Sequence, residues 1–306
     1  MGRIGLIVLK GIGHLYFILP RRLQFYGGAA LGWILLKAGF RKSIVEQNLR
    51  TAFPDQPPQT QMKLTRSSYE HLGHLIFEVM MIFGPMKKFV EKRVSLQGAE
   101  NLREAEKKGK GVIFLSSHVG NWEIMAATGV LLAKADLLLV TKRLKPVWLH
   151  EAIEKARKFY GVRATYEPRT LRDVLADLKK NKAVGFVLDQ YAGPPIGVRV
   201  PLFGLPVGTS AAVAALAKRT GAVVLPVENY RRPDGDWDVI IYPPLEWKKS
   251  NLDMHSELAL NTAHYVAVLE KHILHHPDQW LWTHRRFKGD LSPLREGEWS
   301  EARVRS

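Results

Sequence analysis

Val112-Ile113-Phe114-Leu115-Ser116-Ser117-His118-Val119-Gly120-Asn121-Trp122-Glu123 is the stretch on which the fold of this chain turns. Val112–Leu115 is an apolar run bounded by a loop, which reads as a short buried strand. Gly120 lets the backbone turn sharply. Asn121 supplies the N-cap of a helix that starts at about that residue. A strand that passes through a tight loop into a helix is the repeating unit of an α/β sheet, and ligands of such sheets lie at the carboxyl ends of the strands.

The pattern repeats further along the chain. Leu137–Val140, Val184–Leu188 and Ala222–Val227 are short apolar strands, and Trp237–Tyr242 alternates as an edge strand would. Val147–Tyr160, Thr170–Lys180 and Met254–His275 carry helical spacing. Upstream, residues 41–53 and 57–86 read as helices, and Pro54 stops the first. The expected fold is α/β: a central, mostly parallel sheet flanked by helices, with an N-terminal helical membrane-associating segment. Residues 1–40 form that segment, 41–90 a helical part and 91–306 the α/β domain. Met80-Met81-Ile82-Phe83 is a greasy helix end that reads as core, or as a wall for a lipid chain.

Charge narrows the partners. Lys and Arg number 45 against 29 Asp and Glu, a net of +16 over 306 residues, so the chain is drawn to nucleic acid, anionic lipid or a phosphorylated substrate. The first fifty residues hold eight basic side chains against Glu46 alone, separated by apolar stretches. The longest uncharged run, Leu23–Leu36, is 14 residues, shorter than the roughly 18 that a bilayer span requires. Basic and apolar character together suit an element lying in the membrane interface, with Tyr16, Tyr26 and Trp33 at headgroup level. The competing reading is an amphipathic helix pair packed on the domain.

There is no cysteine, which excludes disulfides, thiolate metal sites and a cysteine nucleophile. A P-loop, a G-x-G-x-x-G turn, an H-E-x-x-H helix and a G-x-S-x-G elbow are all absent. What remains is His118 on the loop and Glu123 five residues on. The turn between them is expected to fold the Glu123 carboxylate onto the imidazole, fixing its tautomer and leaving one nitrogen to accept a proton. Such a pair deprotonates a hydroxyl for attack on an activated acyl group, and a thioester donor makes an enzyme nucleophile unnecessary. The helix N-terminus is expected to offer backbone N–H groups to the developing negative charge. The plainer reading of the pair is a loop histidine beside a surface acid.

Further blocks accompany the pair: Asn48-Leu49-Arg50-Thr51-Ala52-Phe53-Pro54, Val187-Leu188-Asp189-Gln190, Val200-Pro201-Leu202-Phe203-Gly204 and Leu281-Trp282-Thr283-His284-Arg285-Arg286-Phe287-Lys288. In this order, with His118 to Glu123 as H-x-x-x-x-[D/E], the chain resembles the bacterial lipid A late acyltransferases of the lysophospholipid acyltransferase superfamily. The resemblance implies an inner-membrane enzyme with its active site facing the cytoplasm. It implies acyl transfer from acyl carrier protein or acyl-CoA to a hydroxyl of an anionic lipid A precursor, with another glycolipid or a lysophospholipid as alternative acceptor. His118 would be the base and Glu123 its partner. The family's downstream arginine would fall on Arg169, facing phosphate, and Asp189 would be the strand-end acid that shapes the loop or binds acceptor. Tyr191 stands where close relatives often carry a second acid.

Other candidates for substrate contact are Asn121, Lys142 and Arg143 after the Leu137–Val140 strand, and Arg285 and Arg286 in the C-terminal aromatic block. Each has a bland counterpart: a helix cap, a wet loop, arginines covering the sheet. Five histidines from His255 to His276 lack an acid arrangement of ligand type, so no metal is expected, and no cofactor. Non-enzymatic readings are a basic nucleic-acid binder, for which no recognition motif is present, and a membrane-attached interaction protein. No nucleic acid partner is expected.

Overall fold

The computed structural model describes residues 2–293. Five helices open the chain: α1 (Gly2–Ile18), α2 (Arg21–Lys37), α3 (Lys42–Ala52), α4 (Pro58–Met80) and α5 (Met86–Arg93). The α/β part then runs β1 (Val94–Gln97), α6 (Ala99–Lys107), β2 (Val112–Ser116), α7 (Trp122–Leu131), β3 (Leu137–Val140), α8 (Val147–Phe159), β4 (Arg163–Thr165), α9 (Thr170–Lys179) and β5 (Ala183–Val187). A hairpin, β6 (Gly197–Leu202) and β7 (Leu205–Ser210), precedes α10 (Ala212–Thr220), β8 (Val223–Arg231), β9 (Trp237–Ile241) and α11 (Met254–His275). The sheet order is β1-β9-β8-β2-β5-β3-β4. Every pairing in it is parallel except β8 with β9.

This is the α/β architecture the sequence predicts, with local differences. Trp237–Ile241 is not at the edge: β1 covers it on one side and β8 on the other. The helix expected over 57–86 ends at Met80, followed by a 3-10 turn at Met81–Phe83, because Gly84-Pro85 cannot continue it. Met81, Ile82 and Phe83 are buried against α1, α5 and α8 residues as core.

Both faces of the sheet are covered. On one, Ile113, Leu115 and Val184 meet Val174, Val213 and Leu269 from α9, α10 and α11. On the other, Val112, Phe114 and Leu225 meet Leu102 and Ala126 from α6 and α7. Each fully buried aliphatic side chain contributes about 1.5–3 kcal/mol relative to leaving it exposed. A further core joins Val45, Leu49 and Tyr69 of α3 and α4 to Val200, Trp280 and Trp282. It draws the C-terminal block across the carboxyl end of the sheet.

The first two helices pack on the domain, as the competing reading of the N-terminus has it. α2 lies backbone to backbone on α4, since a methyl at Gly73 would strike the Gly28 carbonyl and one at Gly32 would strike that of Tyr69. Their outer faces stay open: Ile4, Ile7, Val8, Leu15 and Ile18 on α1 are exposed, as are Leu23, Tyr26, Trp33 and Ile34 on α2. Among the described residues no helix is long and apolar enough to cross a membrane.

Candidate active site

β2 and β5 are parallel neighbours, with Ser116 opposite Val187. His118 and Asp189 each stand two residues beyond that rung, so they leave the sheet at the same level and meet. The His118 ring Nδ1 is 2.6 Å from Asp189 Oδ1, and the His118 backbone N–H donates to Oδ2 at 2.7 Å. The Trp280 indole N–H donates to the same oxygen at 2.6 Å. Burial pushes the Asp189 pKa up, but the charge and hydrogen bonds of His118 and the bond from Trp280 outweigh it and hold the group at about 2. An ionised Asp189 places the ring proton on Nδ1 and leaves Nε2 as the acceptor. The Gln190 amide nitrogen lies 3.4 Å from Nε2, and the His284 ring stands 5.2 Å away, centroid to centroid.

The expected His118–Glu123 contact is not formed. Trp122, one residue earlier, faces the imidazole edge-on at 5.3 Å. One step along a helix rotates the side chain by about 100°, so Glu123 points elsewhere, into the protein toward α8. There it takes the Arg157 guanidinium on both oxygens, with Nε at 3.0 Å from Oε2 and Nη2 on Oε1, and the Trp122 indole donates to it at 3.1 Å. Burial disfavours the Arg157 charge, yet Glu123 raises its pKa above the ordinary value. The helix N-terminus is also spoken for: Asn121 is the N-cap as expected, and its Oδ1 accepts from the Glu123 and Ile124 N–H groups at 3.0 and 3.2 Å. Those two donors are not open to an oxyanion, and Asn121, fully buried, is a cap that cannot reach a substrate.

Two further candidates move. Arg286 is buried, with Nη1 donating to the Gly208 carbonyl and Nη2 to Thr209, both at 2.6 Å. Burial lowers its pKa to about 10. It straps the C-terminal block to β7 and cannot clamp a headgroup. Arg169 is exposed at the start of α9, after β4, which lies three strands from β2, or roughly 14 Å at ordinary strand spacing. The arginine beside the His118 loop is Arg157, paired with Glu123, which the sequence reading missed. Lys142 lies close enough to His284 to depress its pKa, Arg143 sits over the Tyr166 ring at 5.8 Å, and Arg285 is exposed.

A buried polar layer under the loop ties it to α4. Gly120, at φ +70°, has no room for a side chain against the Asn229 carbonyl. Its N–H donates to Gln279, and Asn229 bonds Asn121 N–H and the Val119 carbonyl. Arg231 joins Glu78 at 3.0 Å and His71 at 2.9 Å. Between the sheet and α7 a narrow apolar void of about 40 Å³ is lined by Phe114, Ser116, Met125, Gly129, Gly185 and Val187.

Several of these groups give the fold an acid sensitivity. Burial lowers the pKa of His74 to about 3 and of His284 to about 4, and drives His71 well below its ordinary value. Unfolded, all three take a proton near pH 6.5, so the unfolded state binds more protons below that pH. Stability should therefore fall as pH drops from 6.5 toward 4, by up to about 1.4 kcal/mol per pH unit for each group. Denaturant midpoints measured across that range test this, and a flat profile contradicts it. Asp189 acts in a lower window: its stabilisation is complete above about pH 4 and is lost as pH falls toward about 2.

The fold carries a strand-end imidazole–carboxylate pair, and comparison with known proteins shows the family to which the chain belongs. Residues 3–289 match the bacterial lipid A biosynthesis acyltransferase family, and the chain belongs to that family. It is similar to the lipid A biosynthesis palmitoleoyltransferase of Escherichia coli strain K12, 26% identical over 283 residues, covering 91% of this chain and 89% of that protein. The lauroyltransferase of the same strain is also 26% identical, over 282 residues covering 91% and 90%. A phosphatidylinositol mannoside acyltransferase of Mycobacterium tuberculosis is 26% identical over 204 residues, 66% of this chain and 62% of that protein.

Proposed function

We propose that this chain transfers a fatty acyl group from a thioester, on acyl carrier protein or coenzyme A, to a hydroxyl of a lipid A precursor at the inner membrane, with the site facing the cytoplasm. The observation that carries the reading is the His118 imidazole, its Nδ1 held by an ionised Asp189 at the carboxyl ends of two parallel strands, in a chain of this family. The acceptor hydroxyl gives its proton to His118 Nε2 as its oxygen attacks the thioester carbonyl carbon. The tetrahedral adduct then collapses, the carbon–sulfur bond breaks, and the departing thiolate takes the proton from the imidazolium. General base assistance of this kind is worth ~10²–10⁴ in rate.

In this scheme His118 is the catalytic residue. Asp189 and Trp280 position it, and the Glu123–Arg157 pair fixes the start of α7. Lys142, Arg143 and Arg285 are the exposed cations available to phosphate on donor or acceptor. The open apolar faces of α1 and α2 suit the membrane interface, where amphipathic helices of this kind lie. A different glycolipid acceptor is the second reading, favoured by the match to a mannoside acyltransferase.

Mass spectrometry of membrane lipids from cells with and without the chain tests both. The expected result is a lipid A species heavier by one acyl residue only when the chain is present. The same gain on another glycolipid replaces the acceptor, and no gain on any lipid removes the enzyme reading.

A further inference from the structure

A second cavity lies apart from the His118 site. It is a groove of about 1210 Å³ between α2, α3 and α4. Its apolar walls include Ala29, Trp33 and Met62, and Lys37, Lys42, Arg50 and Arg66 stand along it. Glu46 and Glu70 are its acids. Lys42 makes a loose 3.7 Å pair with Glu46, both well exposed. Among the described residues Lys37, Arg50 and Arg66 have no carboxylate partner: Lys37 rests over the Trp33 ring at 5.9 Å, and Arg66 touches only Met62 sulfur. The trough keeps apolar area in water beside exposed cations that no carboxylate neutralises, which leaves both features open to a ligand.

The rim explains what the trough suits. Trp33 is 61% exposed, Tyr26 67% and Met62 52%. Tyr26 and Trp33 belong to the same open face of α2 that continues through Leu23 and Ile34. The groove thus carries an apolar wall continuous with that face and exposed cations alongside it, the polarity profile of a single glycerophospholipid with its chains on the wall and its headgroup at the cations. A flat acidic protein surface would meet the four cations but leave the trough unfilled.

We propose that this groove binds one anionic glycerophospholipid of the surrounding bilayer, its phosphate held by Lys42, Arg50 and Arg66 and its chains lying along Trp33, Ala29 and Met62. The site fixes the orientation of the helical layer on the membrane. It rests only on the interfacial part of the function proposed above and not on acyl transfer.

The test uses the full chain in neutral detergent, titrated with phosphatidylglycerol or phosphatidylcholine and read by native mass spectrometry. One phosphatidylglycerol is expected to remain bound in preference to phosphatidylcholine. The K42Q/R50Q/R66Q variant should weaken it by about 100-fold, at about five-fold per cation beside an anionic lipid. Ala29→Trp, which fills the trough without changing charge, should also lose it. A control that removes three exposed lysines elsewhere, K108Q/K110Q/K180Q, should retain it, as should His118→Ala. Equal retention of both lipids overturns the proposal, and so does undiminished phosphatidylglycerol binding in the triple variant or in Ala29→Trp. Loss of acyl carrier protein binding in the triple variant with lipid binding unchanged would assign the cations to that protein instead. Acyl transfer is assayed separately, so an inactive enzyme that still holds the lipid fails the catalytic reading and keeps this one.

Discussion

Acyl transfer by the His118→Ala variant should fall by about 10²–10⁴-fold, the full worth of a general base, while the protein folds and binds lipid as before. Asp189 keeps the Trp280 indole and the His118 backbone N–H as partners, so its charge is not stranded. Asp189→Asn should be nearly as damaging, about 10³–10⁴-fold, for a different reason. An asparagine amide at that position donates to Nδ1, moves the ring proton to Nε2 and so blocks the nitrogen that must accept. Because the two residues act as a unit, the double variant should be little worse than either alone. Single-turnover rates with a thioester donor measure this. Near-normal transfer by His118→Ala ends the mechanism, and near-normal transfer by Asp189→Asn returns the steering role to another group.

Glu123→Ala should act on stability first. Arg157 is buried against α7, with Glu123 as its carboxylate. Removing one partner of a buried ion pair costs about 3–5 kcal/mol, because the other charge is left without compensation. Replacing both, Glu123→Met with Arg157→Met, should recover much of that loss, since the pair's own net worth is small. Chemical denaturation of the three variants is the measurement. If Glu123 instead steered His118 directly, Glu123→Gln would reproduce the rate loss of Asp189→Asn at nearly wild-type stability.

The contrast between the two acids shows how far residues alone could be read. The strand–loop–helix unit at 112–123 was legible because its parts are local: an apolar run, a glycine turn and a capping asparagine. Leu137–Val140 and Met254–His275 were bounded correctly for the same reason. The partner of His118 was not local. Asp189 meets it only because β5 pairs with β2 across 71 residues, and parallel neighbours carry no sign of adjacency in the chain. The acid was singled out as a strand-end residue, but its contact could not be. The hairpin Gly197–Ser210 was missed because its apolar positions pack on α11 and the C-terminal block and not in the main sheet.

Arg157 did leave a trace. His150, Ile153, Ala156 and Arg157 form the buried stripe of α8, at the spacing of one helix face. An arginine on that stripe must find an anion inside, and the nearest acid on the facing helix is Glu123. Arg286 carried no comparable signal. Its neighbours Arg285 and Lys288 are exposed, and only the course of the backbone past Gly208 shows which of the three turns inward.

Everything that secures the imidazole from above is made late. Gln279 takes the Gly120 N–H, Leu281 donates to the His118 carbonyl, Trp280 holds Asp189, and Trp282 is fastened by Asn48. During synthesis, the two N-terminal helices leave the ribosome more than two hundred residues before this clasp. Until then the His118 ring lacks the Asp189–Trp280 clasp that fixes its tautomer. The His118–Asp189 pair is complete only once the 279–282 segment has closed over the sheet.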